Sequence, residues 1–424
     1  MHRSHVKFHA VNIIKIISLL ITCTTLTGCS VLTGPRVWHQ AGPEVPELVV
    51  FDNTMKDFMI WHKVSAGSLA ITYEGRLVFA RGYTWSKADS PATEPTSLFR
   101  IASLSKPITS AGIMKLVEEN QLSLDDKVMD ILPFGIPEGQ TPDPNLGKVT
   151  ILHLLEHLGG WDRHKTFDPM FADKKISKAL SAPLPVTQAD IITFMNGQPL
   201  QYAPGTKCVY SNYGYCLLGR VIEQKTGLSY EEYIKKFILS PLGITRMQIG
   251  HSNLEDRAPG EVTYESKSES VYGAFNLENM DSHGGWLASA PDLARFATAF
   301  DDAANCRILS ADSIETMFSL PATIDREKYK PGLNLYYACG WMVRDYGNGR
   351  RNTWHTGSLP GCYTFMARWS NGVNCVVLFN KRGPGFDKID PILSETVKSI
   401  SNWPEHDLFP EMLKTKARPI ESQK

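Results

Sequence analysis

Ser103-Leu104-Ser105-Lys106-Pro107 is the stretch on which the reading of this chain turns. Directly after it, Ile108, Ala111, Met114 and Val117 to Leu122 recur at helical spacing, so a helix starts here with proline tolerated in its first turn. A serine at a helix start and a lysine three residues on project from one face. A serine hydroxyl is a weak nucleophile at neutral pH and needs a neighbouring base. A lysine serves when burial or nearby positive charge depresses its proton affinity. The same residues also describe a helix cap followed by a solvated lysine, and Ser4 with Lys7 repeats the pattern, so the rest of the chain has to decide.

Upstream, Ser68–Tyr73 and Leu77–Arg81 alternate around Glu74-Gly75 as a hairpin. From about Val149 to Met280 the pattern is mainly helical, broken by Pro- and Gly-rich loops. Strands return at Tyr337–Val343, Arg351–His355, Cys362–Trp369 and Val373–Asn380, with turn signals at Gly347-Asn348-Gly349 and Asn371-Gly372, and a helix over Ile389–Ile400 closes the fold. Strands at both ends with helices between predict an α/β (α+β) fold. In it, the terminal segments share one antiparallel sheet and the middle, residues 149–280, forms a helical lobe. The cleft between sheet and lobe is the expected site. The folded domain is expected over 51–403, with a loosely held tail at 404–424.

The N-terminus has basic Arg3 and Lys7, then the apolar run Ile13–Leu26, then Leu26-Thr27-Gly28-Cys29. This is an export signal, and the apolar run falls short of the roughly 20 residues a spanning helix needs. Its ending resembles the lipobox of bacterial lipoproteins. That resemblance implies lipidation of Cys29, a membrane anchor, and a location facing the periplasm or cell exterior, with residues 30–50 as an extended linker. An ordinary secretory signal is the alternative. Over 424 residues, Lys plus Arg equals Asp plus Glu at 44 each, so no whole-protein field gathers nucleic acid. A small or neutral substrate fits that balance. Beyond the signal, Cys208, Cys216, Cys306, Cys339, Cys362 and Cys375 form an even set without zinc-ribbon spacing. Cys362 and Cys375, on strands expected to be neighbours, are the pair expected to bridge.

Two further pieces carry chemistry. Tyr210-Ser211-Asn212 offers a phenol whose proton can move and an amide that can orient a lysine or a carbonyl. His355-Thr356-Gly357 ends a strand where glycine lets backbone approach a substrate. Each has copies elsewhere, Tyr346-Gly347-Asn348 and His283-Gly284-Gly285 among them, so order and spacing decide. In that order the three motifs resemble the serine β-lactamase and penicillin-binding protein superfamily, in the branch with tyrosine in the second motif. Leu154-Leu155-Glu156-His157-Leu158-Gly159-Gly160, Pro241-Leu242-Gly243-Ile244 and Gly284-Gly285-Trp286-Leu287-Ala288-Ser289 extend the resemblance over nearly all of Phe51 to Ile400.

The resemblance implies a class C β-lactamase-like fold and an acyl-enzyme on Ser103, with Lys106 and Tyr210 sharing the proton transfers, either of them as the base. It implies an oxyanion hole from the amides of Ser103 and Ser358, a positioning role for Asn212, a carboxylate contact for Thr356, and no cofactor or metal. His355 stands where class C β-lactamases carry lysine, and a neutral imidazole is the weaker carboxylate anchor. A D,D-carboxypeptidase or D-aminopeptidase acting on a peptide or small molecule is therefore the leading expectation. A carboxylesterase or weak β-lactamase comes next, and a non-catalytic β-lactam-binding sensor after that. From another class, His153-Leu154-Leu155-Glu156-His157 has the spacing of a zinc-binding helix, although two glycines end that helix at once.

Overall fold

The computed structural model describes residues 35–266 and 270–414. The segment expected to be an export signal, with Cys29, lies outside the described residues. An eight-stranded antiparallel sheet runs in the order β1-β3-β2-β11-β10-β9-β8-β7. Its strands are β1 (Val37–Ala41), β2 (Ala66–Tyr73), β3 (Arg76–Ser86), β7 (Tyr336–Tyr337), β8 (Met342–Gly347), β9 (Arg350–Leu359), β10 (Cys362–Arg368) and β11 (Val373–Phe379). Both ends of the chain thus meet in one sheet, with β2 beside β11, as the two groups of strand signals predict.

The middle strands are buried almost throughout and mainly apolar because both faces are covered. Along β11, Val373, Cys375, Val377 and Phe379 face α1 (Val49–His62) and the helix Ile389–Lys398, while Val376 and Leu378 face the helices of the other layer. From α1, Phe51, Met55, Phe58 and Met59 enter the first core, each burial stabilising by roughly 1.5–3 kcal/mol. A second sheet, β4 (Phe99–Arg100), β5 (Gln248–Ile249) and β6 (Trp286–Ala288), ties the lobe to the segment that leads into Ser103. There the fully buried Arg100 faces Glu261 at 3.6 Å and donates to the carbonyls of Val271 (2.7 Å) and His251 (2.9 Å). The lobe carries the helices Ile151–Leu155, Asp173–Leu180, Gln188–Asn196, Asn212–Thr226 and Tyr230–Ile234.

Three expectations are corrected. Residues 30–50 are not a tether throughout, because Val37–Ala41 pairs with β3 and Trp38 stacks on Tyr83 at 5.6 Å, covering that sheet edge. The segment from 404 is held as far as it is described. The Leu408 amide donates to Leu77 O at 2.9 Å, and Phe409 and Met412 are buried, with the Arg295 guanidinium 5.0 Å above the Phe409 ring. Finally, all six cysteines of the described residues are free. Cys362 and Cys375 do lie on paired strands, but Cys375 stands opposite Ala367, five residues along β10 from Cys362. That offset is about 17 Å of strand, beyond the ~7 Å limit between bridged Cα atoms.

Candidate active site

The chain leaves β4 through Ile101 and passes Ala102, a non-glycine residue at φ +49°, into the short turn Ala102–Leu104 and then α2 (Ser105–Glu118). A left-handed alanine costs on the order of 1–3 kcal/mol and persists only where its surroundings hold it. Here β9 and β10 hold it. Thr364 Oγ1 donates to Ile101 O at 2.8 Å, and a Cβ on Gly357 would overlap that carbonyl oxygen and stand 3.1 Å from Ser103 N. Only glycine lets β9 come this close to the turn.

Lys106 lies one turn on, wholly buried. Its Nζ is 2.8 Å from Asn212 Oδ1, 2.8 Å from His283 O and 3.2 Å from Ser103 Oγ. Burial holds its proton affinity well below the ordinary lysine value. The nearby Asp168 charge works against that shift and Arg163 adds to it. A neutral amine has two N–H groups and one lone pair. The two oxygens of Asn212 and His283 take the N–H groups, which leaves the lone pair toward Ser103.

From the other side the Tyr210 hydroxyl donates to Ser103 Oγ at 2.7 Å. Burial raises the Tyr210 pKa, so the phenol keeps its proton. His157 packs against its ring at 4.4 Å, and the His157 Nδ1 accepts from the Ser211 amide at 3.2 Å. His355 Nδ1 faces Thr356 O at 2.6 Å and Nε2 faces the Tyr337 hydroxyl at 3.0 Å. The carbonyl fixes the hydrogen on Nδ1, so Nε2 accepts from Tyr337. Burial and the Lys106 charge push the His355 pKa down to about 3, leaving a neutral ring.

Ser103, Tyr210, Asn212, His355, Thr356 and Ser358 all line one cleft of about 560 Å³, with Lys106 beneath Ser103 and Gly357 behind it. The structure therefore brings together the internal residues that the three motifs nominate for a serine centre. It adds Arg163 and Arg382 on the cleft wall, Tyr337 behind His355, and Asp168 behind Asn212. The zinc spacing loses its basis. The helix Ile151–Leu155 ends before His157, which sits at φ +60°, and His153 Nδ1 accepts from the Thr150 amide at 3.2 Å. Among the described residues no group of three or more His, Cys, Asp or Glu is placed to hold a metal.

The family model described as Beta-lactamase matches residues 51–395. The chain belongs to the beta-lactamase family. Within it, the chain is 29% identical over 431 residues to the "Putative D-alanyl-D-alanine carboxypeptidase" of Escherichia coli (strain K12), covering 91% of each. It is 31% identical over 280 residues to the "Putative fimbrial assembly protein FimD, serogroup D" of Dichelobacter nodosus, covering 63% of this chain and 62% of that relative's length. The octameric penicillin-binding protein homologue from Pyrococcus abyssi superposes with a TM-score of 0.66 at 26% identity, over 82% of this chain and 76% of that one. The α/β fold and the membership of the serine β-lactamase and penicillin-binding protein superfamily thus stand on sequence and structure together. Asp168, a partly buried partner of this beta-lactamase-family centre, has a faint sequence signal, an Asp-Pro cap five residues after Arg163.

Proposed function

We propose that this chain is an exported serine hydrolase that forms an acyl-enzyme on Ser103 and acts as a peptidase of D,D-carboxypeptidase or D-aminopeptidase type. The observation that carries the reading is Ser103 Oγ lying between the Tyr210 hydroxyl at 2.7 Å and the buried Lys106 Nζ at 3.2 Å. Lys106, neutral, accepts the Ser103 proton as Oγ attacks a carbonyl carbon. Tyr210 gives its proton to the leaving amine and regains one from Lys106. Water then repeats the sequence on the ester. The amides of Ser103 and Ser358 face the carbonyl oxygen, where one such donor is typically worth about 10²–10³ in rate.

Peptide substrates are favoured over β-lactams by the neutral His355 in place of an ammonium, and the name of the Escherichia coli relative points the same way. Export and anchoring at Cys29 complete the proposal. From Cys29 to Val37, at ~3.5 Å per residue, the chain reaches at most about 28 Å, so a lipidated protein would hold its body close to a bilayer.

Intact-mass spectrometry tests the centre. Protein lacking residues before Ser30 is incubated with a fluorophosphonate or a fluorescent penicillin, beside Ser103→Ala and an EDTA-treated sample. Mass added to the wild type alone, unaffected by EDTA, is the expected result. An unlabelled protein whose hydrolytic activity disappears with EDTA would overturn it. Radiolabelled palmitate incorporated by the full chain and lost in Cys29→Ala is the expected result for the anchor.

A further inference from the structure

We propose that Asp168 is a positioning residue for this centre: its carboxylate fixes which end of the Asn212 carboxamide faces Lys106. The inference rests on the serine-hydrolase reading above and adds a residue that reading does not use. Asn212 opens the helix Asn212–Thr226, whose first turn is capped by Ser211 Oγ accepting from the Gly214 amide at 3.1 Å. Its backbone is therefore set, and the remaining freedom is an exchange of Oδ1 and Nδ2. Nδ2 donates to Asp168 Oδ2 at 2.7 Å while Oδ1 accepts from Lys106 Nζ at 2.8 Å. A carboxylate accepts and never donates, so it can face only the Nδ2 end.

The exchange matters because of the lone pair on Lys106. With Oδ1 toward Lys106, an N–H is taken and the lone pair is left for Ser103. With Nδ2 there instead, the lone pair would be drawn to Asn212. Asp168 is itself held. Its Oδ1 accepts from the Met170 amide at 3.2 Å, capping the turn Pro169–Phe171, and Arg163 Nη1 lies 3.4 Å from Oδ2. Asp168 does not line the cleft, so it acts through Asn212 and not on substrate. A purely structural cap would use Oδ1 alone.

Asp168→Asn separates the two roles. If its oxygen keeps the Met170 cap, its NH₂ meets the Asn212 NH₂ and turns that amide over. The experiment measures the rate of Ser103 acylation by a fluorophosphonate in the wild type, Asp168→Asn, Asn212→Ala and the double variant, with a melting temperature for each. Should Asp168→Asn fail to fold, Asp168→Ser, a cap too short to reach Asn212, takes its place. The expected result is a loss of about 10²-fold in Asp168→Asn, the scale of a displaced catalytic group. The same substitution should change the rate less than about twofold when Asn212 is already alanine. Wild-type acylation in Asp168→Asn, or an equal loss in both backgrounds, overturns the proposal while leaving the serine-hydrolase reading intact. A wild type that is not acylated at Ser103 overturns both.

Discussion

Tyr210→Phe removes one donor and leaves the ring, with its contacts to His157 at 4.4 Å, Lys106 Nζ at 4.7 Å and the Arg163 guanidinium at 5.0 Å. What Ser103 loses before reaction is a single neutral hydrogen bond at 2.7 Å, worth about 1 kcal/mol net. On the proposed mechanism, what an amide substrate loses is the group that protonates its leaving amine. General acid catalysis is typically worth about 10²–10⁴, or roughly 3–5.5 kcal/mol of barrier. An aryl ester expels a phenolate that needs little protonation, so its loss should stay near the first figure, about tenfold or less. Lys106→Met removes the proposed base, which both substrates would need, and should cost about 10²–10⁴ on each.

The assay is kcat/KM for an amide and an aryl ester with one acyl group. Tyr210→Phe is expected to shift the ester-to-amide preference by at least about tenfold, while Lys106→Met lowers both and leaves their ratio near that of the wild type. Equal losses on both substrates in Tyr210→Phe, with the ratio moving in the Lys106 variant, would refute the assignment and exchange the two roles.

Gly357→Ala should destabilise by about 1–3 kcal/mol and slow acylation, since the new methyl overlaps Ile101 O and pushes β9 from the Ser103 turn; urea denaturation and acylation rates read both. Arg100→Met should cost about 3–5 kcal/mol by leaving Glu261 buried without its partner, measured in the same denaturation experiment. A histidine with its folded pKa depressed to about 3 binds its proton in the unfolded chain first, so stability falls as pH drops from about 6.5 toward 3. His355→Gln should remove about 2 kcal/mol of the stability difference between pH 7 and pH 5, while the like contributions of His157 and His283 remain.

What was legible in the sequence were the elements with a period and the residues with an order. The hairpin at Glu74-Gly75, the helix after Ser103 and the strands β10 and β11 stand where they were expected, and β9 runs on to Leu359, but the strand expected over Tyr337–Val343 is instead β7, a turn and the start of β8. β1 was hidden because its alternation is short and lies between two Gly-Pro pairs, and its partner β3 begins well downstream. β4, β5 and β6 have two or three residues each, too few to show a period. The cysteine pairing failed on register. Adjacent strands can be read from pattern, but which residues stand opposite depends on the turn at Trp369–Gly372 that sets the β10–β11 ladder. Asp168 reads locally as a cap, and nothing local says that its second oxygen meets a side chain 44 residues on.

The balance of charge around Lys106 explains why the centre takes this form. One carboxylate, Asp168, favours the ammonium, and burial together with Arg163 disfavours it. Burial is the larger effect, and the proton affinity falls well below the ordinary value. Burial lowers the proton affinity of His157, His283 and His355 as well, and a proton on Lys106, whenever it is present, lowers it further. None of them stabilises a lysine proton, and Tyr210 keeps its own because burial raises its pKa. A solvated lysine in the same spacing would stay protonated at neutral pH and could only donate to Ser103. At Ser103 and Lys106 it is the closed core, with oxygens from Asn212 and His283 taking both N–H groups, that leaves the lone pair of the amine toward the hydroxyl.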